Sequence, residues 1–92
     1  MNVYLVCFDI TDDRIRDKVG KALLEYGDRV QKSVFEIVLR RPEELQGIRD
    51  RLRPLLEDGD DLRFYRLCAE CRQVSTDIRG EPLAHKPAVV LL

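Results

Sequence analysis

Val3-Tyr4-Leu5-Val6-Cys7-Phe8-Asp9 is a run of six apolar residues closed by a carboxylate, and its reading decides the fold. A half-buried strand or a surface helix would interleave polar positions. An unbroken apolar run fits a central strand covered on both faces. The run has no basic flank, and Asp9 interrupts it, so it reads neither as a signal peptide nor as a membrane span. A cytoplasmic protein is expected.

Outward from this strand, Thr11, Asp12 and Asp13 are N-cap candidates. Ile15, Val19, Ala22, Leu23 and Tyr26 then follow at helical spacing until Gly27, which predicts a helix over residues 12–26. Gly20 in this helix costs about 1 kcal/mol relative to alanine, for which close packing against a neighbouring backbone is a reason. From Val30 the pattern changes to period two, with Ser33, Phe35, Ile37 and Leu39 on one side and a slip near Lys32-Ser33 that predicts a turn or bulge. Pro42 stands where a first helical residue belongs, Glu43 and Glu44 suit the positive end of a helix dipole, and Leu45, Ile48, Leu52 and Leu55 form an apolar stripe. Pro54 removes a donor inside that stripe and predicts a kink or an end near Arg53.

Asp58-Gly59-Asp60-Asp61 is a turn cluster, and residues 62–67 return to strand alternation with Leu62, Phe64 and Tyr65 directed toward the core. Past Cys71 the chain is polar up to Gly80-Glu81-Pro82, with no helix expected over Arg72-Gln73-Val74-Ser75-Thr76. Ala88-Val89-Val90-Leu91-Leu92 is an apolar pentamer that would aggregate as a free edge and is expected to pair with another strand, in a thin domain one from a second copy. The order β-α-β-β-α-β, with helices of about 13–16 residues and short connections, predicts an α+β fold. The expected fold is a ferredoxin-like sandwich: one mostly antiparallel sheet, both helices on one face, and an extra C-terminal strand that pairs within the chain or across a homodimer. Residues 1–92 then form a single domain, with 69–92 as a dimer-swapping extension.

Composition agrees. Ninety-two residues, 45% hydrophobic, give one thin core to which a partner subunit would add stability. Sixteen Lys+Arg against seventeen Asp+Glu exclude polyanion binding by bulk charge and leave it to local arrangement. Residues 30–41 carry +2 (Lys32, Arg40 and Arg41 against Glu36), whereas residues 42–61 carry −4 (three arginines against seven acids). The twelve arginines and four lysines suit bidentate phosphate contacts and equally reflect codon bias.

Asp9 is the first chemical candidate, because a carboxylate directly after an apolar strand can face a cleft; a turn-stabilising role is the alternative. Asp12 and Asp13 serve a helix start by default. Cys68-Ala69-Glu70-Cys71 has the spacing of a zinc knuckle or a redox pair, yet within one chain only Cys7 and His85 remain to complete four ligands; a two-fold dimer would supply four thiolates, and buried or semi-buried thiols at a strand end are the expectation. His85, the one histidine, sits in a polar loop. Walker, dinucleotide-binding, nucleophile-elbow and zincin motifs are absent, as is the aromatic pattern of an RNA-recognition motif.

Three stretches together carry a resemblance: Tyr4-Leu5-Val6-Cys7-Phe8-Asp9-Ile10-Thr11-Asp12-Asp13-Arg14-Ile15-Arg16, then Arg29-Val30-Gln31-Lys32-Ser33-Val34-Phe35-Glu36, then Leu62-Arg63-Phe64-Tyr65-Arg66-Leu67-Cys68. They resemble the CRISPR-associated protein two family, the small adaptation subunit described as an endoribonuclease, over the whole chain. The resemblance implies a homodimer whose last strand adds to the partner's sheet. It also implies an Asp9 that faces its dimer mate and binds a divalent metal, Mg²⁺ with Mn²⁺ as the other choice. By the same resemblance Arg16, Arg29 and Phe35 match positions linked to activity or substrate contact, Lys18 is a basic counterpart of another, and Phe8 replaces a tyrosine common in relatives. Two functions follow. One is a metal-dependent endonuclease that hydrolyses phosphodiester bonds in single-stranded RNA or duplex DNA. The other is a non-catalytic dimeric scaffold bridging subunits of the CRISPR-associated integrase and binding duplex DNA. A ferredoxin-like regulator binding a small ligand is a third, from fold analogy alone.

Overall fold

The computed structural model describes residues 1–82; the apolar pentamer at 88–92 and the strand expected there lie outside the described residues, as does His85. Four antiparallel strands form one sheet in the order β2-β3-β1-β4. They are β1 (Asn2–Asp9), β2 (Gly27–Gln31), β3 (Val34–Leu39) and β4 (Asp61–Leu67). Helix α1 (Asp13–Leu23) joins β1 to β2, and α2 (Glu43–Leu52) with a 3₁₀ turn at Arg53–Leu55 joins β3 to β4. This is the ferredoxin-like α+β arrangement predicted.

The sheet has two unlike faces. Val6 and Phe8 of β1 and Phe35, Ile37 and Leu39 of β3 pack beneath Val19, Ala22 and Leu23 of α1 and Ile48 and Leu52 of α2. Each of the larger side chains is worth about 1.5–3 kcal/mol on full burial. Alternation sends Val3, Leu5, Cys7 and Asp9 to the other face. There Val3 packs with Val38 and Leu67 in a separate small cluster, and Asp9 is exposed. β1 is thus central, but both helices cover one of its faces rather than one covering each. The same alternation corrects Tyr65: Leu62 and Phe64 pack against the core, whereas Tyr65 points away from it and is 47% exposed.

Local chemistry explains the boundaries. Asp12 caps α1, accepting from the backbone N–H groups of Arg14 (2.8 Å) and Ile15 (3.4 Å). α1 ends at Leu23, three residues before the predicted stop, and residues 24–26 turn through hydrogen bonds from Glu25 N to Ala22 O and from Tyr26 N to Leu23 O. Gly27 does not stop the helix; it begins β2. A Cβ there would sit 1.8 Å from the Glu36 carbonyl oxygen, so only glycine lets the two backbones pair. Gly20 proves less demanding than its spacing implied, since a Cβ there would meet the Phe35 ring at 3.5 Å, a side chain at ordinary contact distance rather than a backbone.

The slip at Lys32-Ser33 is a hairpin turn between β2 and β3, with a bulge between Arg29 and Gln31. Glu44 reaches back from the first turn of α2 to accept from the backbone N–H groups of Arg40 (2.6 Å) and Arg41 (2.9 Å), and Pro42 occupies the cap position. α2 gives way to the 3₁₀ turn at Arg53, as Pro54 predicts. One element was missed: Ala69–Val74 forms a short helix, α3, where none was expected.

Candidate functional site: a carboxylate and a cationic cleft on opposite sides of the sheet

Asp9 is the last residue of β1, and its register partner in β4 is Asp61. Residues directly opposite in an antiparallel ladder share a face with Cβ atoms about 4.5–5.5 Å apart, so one chain presents two carboxylates side by side at this end of the open face. Asp61 accepts a hydrogen bond from Arg63 Nε at 2.9 Å, and the Asp9 carboxylate makes no hydrogen bond or ion pair with the described residues. Asp61 escaped the sequence reading, which saw it as part of a turn. Only the β1–β4 register reveals it.

Arg16, Arg29 and Phe35 gather elsewhere. With Phe8, Gly20, Lys21 and Lys32 they line a cleft of about 380 Å³ between α1 and the β2–β3 hairpin, on the helix-covered side. Arg29 is opposite Phe35 in the ladder and so shares that face. Phe35 is buried and stacks on Phe8, with centroids 5.9 Å apart at an interplanar angle of 24°. These rings floor the cleft. The two arginines rim it, and each also holds backbone.

Arg16 Nη1 donates to the carbonyls of Ile10 (2.8 Å) and Thr11 (3.2 Å), while its other terminal nitrogen pairs with Asp13. It therefore braces the two residues that follow Asp9. Arg29 donates to the Lys32 carbonyl at 2.9 Å and clasps the hairpin turn. Four cations, Arg16, Lys21, Arg29 and Lys32, face two carboxylates, Asp13 and Asp17, around the cleft, an excess suited to phosphate. Lys21 is paired with Asp17 at 3.1 Å. Lys18 is exposed on α1.

The cysteines differ from one another. Burial pushes the Cys7 thiol up. Cys68 and Cys71 are exposed, not semi-buried as expected, and Cys68 caps α3. Hydrogen bonds from the Cys71 backbone N–H and thiol hold Cys68 below the usual thiol range, and the same contact raises Cys71. Among the described residues no group of three or more His, Cys, Asp or Glu side chains is placed to hold a metal ion. No helix among them is long and apolar enough to cross a membrane.

Together the fold and these surfaces define a ferredoxin-like α+β protein that presents carboxylates on its open sheet and cations between its first helix and the adjoining hairpin. The chain belongs to the CRISPR associated protein Cas2 family, whose model matches residues 1–74. It is 37% identical over 99% of its length to the CRISPR-associated endoribonuclease Cas2 4 of Rhodospirillum rubrum, covering 75% of that protein. It is 49% identical over 76% of its length to the CRISPR-associated endoribonuclease Cas2 1 of Chloroflexus aurantiacus, covering 76% of it. Among solved structures it matches a chain of a partial Cas6-RT-Cas1–Cas2 complex over 100% of both chains, with TM-score 0.84 and 35% identity. It matches Streptococcus pyogenes Cas2 with TM-score 0.74 and 29% identity, over 83% of this chain and 98% of that one.

Proposed function

We propose that this chain acts in CRISPR adaptation as a homodimer, in which Asp9 of each copy contributes a carboxylate to one divalent cation, Mg²⁺ or Mn²⁺, and that the dimer hydrolyses phosphodiester bonds in single-stranded RNA or duplex DNA. The observation that carries this reading is the exposed Asp9 carboxylate, without a partner among the described residues, on the sheet face that the helices leave uncovered. Hard, exposed oxygen donors without a closed cage fit an ion that keeps several waters and takes one or two carboxylates. A second copy supplies the second donor from the same position. Support also comes from the relatives named endoribonucleases, and for a Cas1-type integrase as partner from the complex containing the matched chain. Action in the cytoplasm follows from this role.

When bound, such a cation supplies Lewis acidity and a water of lowered pKa. Arg16 fixes Ile10 and Thr11 and so the aim of Asp9, while Arg29 and Lys32 hold phosphates at the cleft above Phe35.

A second reading, a non-catalytic scaffold that binds duplex DNA and bridges integrase subunits, is favoured by one observation. Asp9 and the cationic cleft lie on opposite sides of the sheet, an arrangement that suits separate binding surfaces. Cleavage of labelled single-stranded RNA and duplex DNA, with Mg²⁺, Mn²⁺ or EDTA, distinguishes the two. The nuclease reading expects chelation-sensitive cleavage that falls about 100-fold or more in Asp9→Asn, the scale of several kcal/mol of metal-borne stabilisation. If wild type and Asp9→Asn are both inert and bind duplex DNA equally, the scaffold is the function.

A further inference from the structure

Cys68 and Cys71 are exposed thiols that neither function uses. Cys68 directly follows β4, and Cys71 lies in the first turn of α3, so the pair spans the joint between sheet and helix. Their sulfurs are 3.2 Å apart, and the Cys71 backbone N–H donates to Cys68 Sγ at 3.4 Å. Both thiols are exposed. α3 itself is six residues long with no buried residue, so little besides this turn secures it.

We propose that Cys68 and Cys71 form a redox-active dithiol that closes to an intramolecular disulfide by exchange with a low-molecular-weight disulfide of the glutathione class, locking the turn from β4 into α3. The inference goes beyond the nuclease and scaffold readings and depends on neither. Sulfurs already in contact need only a small local shift to bond, and exposure admits the reagent. A metal site is the less favoured use of the pair, since zinc takes four ligands and no third donor joins the two among the described residues.

The exchange balances in two steps. The Cys68 thiolate attacks one sulfur of the small disulfide, forming a mixed disulfide and releasing one small thiolate. Cys71 then loses its proton and attacks Cys68 Sγ, forming the protein disulfide and expelling the second small thiolate. Overall the protein loses two protons and two electrons, and the small disulfide takes them up to become two thiols. The depressed thiol of Cys68 and the raised thiol of Cys71 agree with this division between attacking and resolving cysteine. An exposed pair so near in sequence belongs with the labile disulfides rather than the structural ones.

The test uses the full chain, reduced and then equilibrated in buffers of increasing oxidised-to-reduced glutathione, quenched with an alkylating reagent and digested with trypsin. Cleavage after Arg66 and Arg72 places both cysteines in one peptide and Cys7 in another. The expected result is a 67–72 peptide that has lost two hydrogens and resists alkylation, while Cys7 remains alkylated. Cys71→Ser should trap glutathione on Cys68, and Cys68→Ser should carry about one-tenth as much on Cys71 or less. Amide exchange over residues 69–75 should slow about tenfold in the oxidised protein, as local opening is suppressed. A 67–72 peptide that stays fully reduced, a disulfide found only between two chains, or stoichiometric zinc protecting both thiols from alkylation would each overturn the proposal.

Discussion

On the helix-covered face of the sheet Val6, Phe8, Phe35, Ile37 and Leu39 are sealed beneath α1 and α2, whereas the opposite face keeps Tyr65 and Asp9 in contact with solvent. Both faces are built by alternate residues of the same strands. In so thin a domain the apolar side chains suffice to close one face, so the stability of the single chain resides there. On the other face Val3 is closed by Val38 and Leu67, but its exposed side chains can change at little cost to folding and remain available for chemistry or association. The cleft holding Arg16 and Arg29 sits at the margin of the sealed face, where Phe35 is both its floor and part of the core.

The sharpest way to break this contrast is to truncate one residue on each side. Phe35→Ala should cost about 3–5 kcal/mol, a large share of the stability of a domain this size, whereas Asp9→Asn should shift it by about 0.5 kcal/mol at most. Urea denaturation followed by circular dichroism measures both. A Phe35→Ala protein with an unchanged midpoint would show that its ring serves substrate rather than core.

Arg16 tests the joint between the faces. Its side chain is 26% exposed and its guanidinium donates to two backbone carbonyls, so Arg16→Ala should lower stability by about 1 kcal/mol after allowing for solvent. Arg16→Lys should recover only part, because an ammonium lacks the planar fork. If the urea midpoint of Arg16→Ala matches wild type while affinity for nucleic acid falls, the residue contacts ligand and does not brace the loop.

Much of this architecture was legible in residue order, and the failures share a cause. β1, the β2–β3 pair, α2 and its end at Pro54 each follow from a local signal: an apolar run, a period, a proline. What local pattern could not supply was pairing. Asp61 became a neighbour of Asp9 only through the β1–β4 register, and the split of Asp9 from Arg16, Arg29 and Phe35 depends on which residues of each strand face the helices. Gly27 looked like a helix stop because glycine ends helices, but the demand on it comes from the β3 backbone ten residues away. α3 was missed because Arg72-Gln73-Val74 has no apolar stripe. Its start is set by the Cys68 cap, a role usually filled by an oxygen-bearing side chain.

A smaller change sharpens the account of the sealed face. Gly20 lies on α1 where an added Cβ would touch Phe35 at 3.5 Å. That is ordinary contact, so Gly20→Ala should gain about 0.5–1 kcal/mol from helix propensity. Loss of stability in urea would show that the ring cannot yield at all and that the cleft floor is tighter than the contact distance indicates.

The smallest effect at neutral pH belongs to the helix ends. Asp12 accepts from backbone N–H groups at the start of α1, and Glu44 does so before α2. Glu25 takes both terminal nitrogens of Arg51, at 2.9 and 2.6 Å. Backbone donors hold Asp12 and Glu44 below the usual carboxylate range, and the Arg51 guanidinium does the same to Glu25. With folded-state values below unfolded ones, what these groups contribute is fully present above the unfolded values, near pH 4, and is lost as pH falls through the folded ones. The melting temperature should therefore hold from pH 7 to about pH 5 and decline below about pH 4. Asp12→Asn keeps a good cap but nothing that titrates, so its melting temperature should match wild type at pH 7 and decline less steeply in acid. A parallel decline in the two proteins would place the acid sensitivity on the other two depressed carboxylates, Glu44 and Glu25, which are the next to substitute.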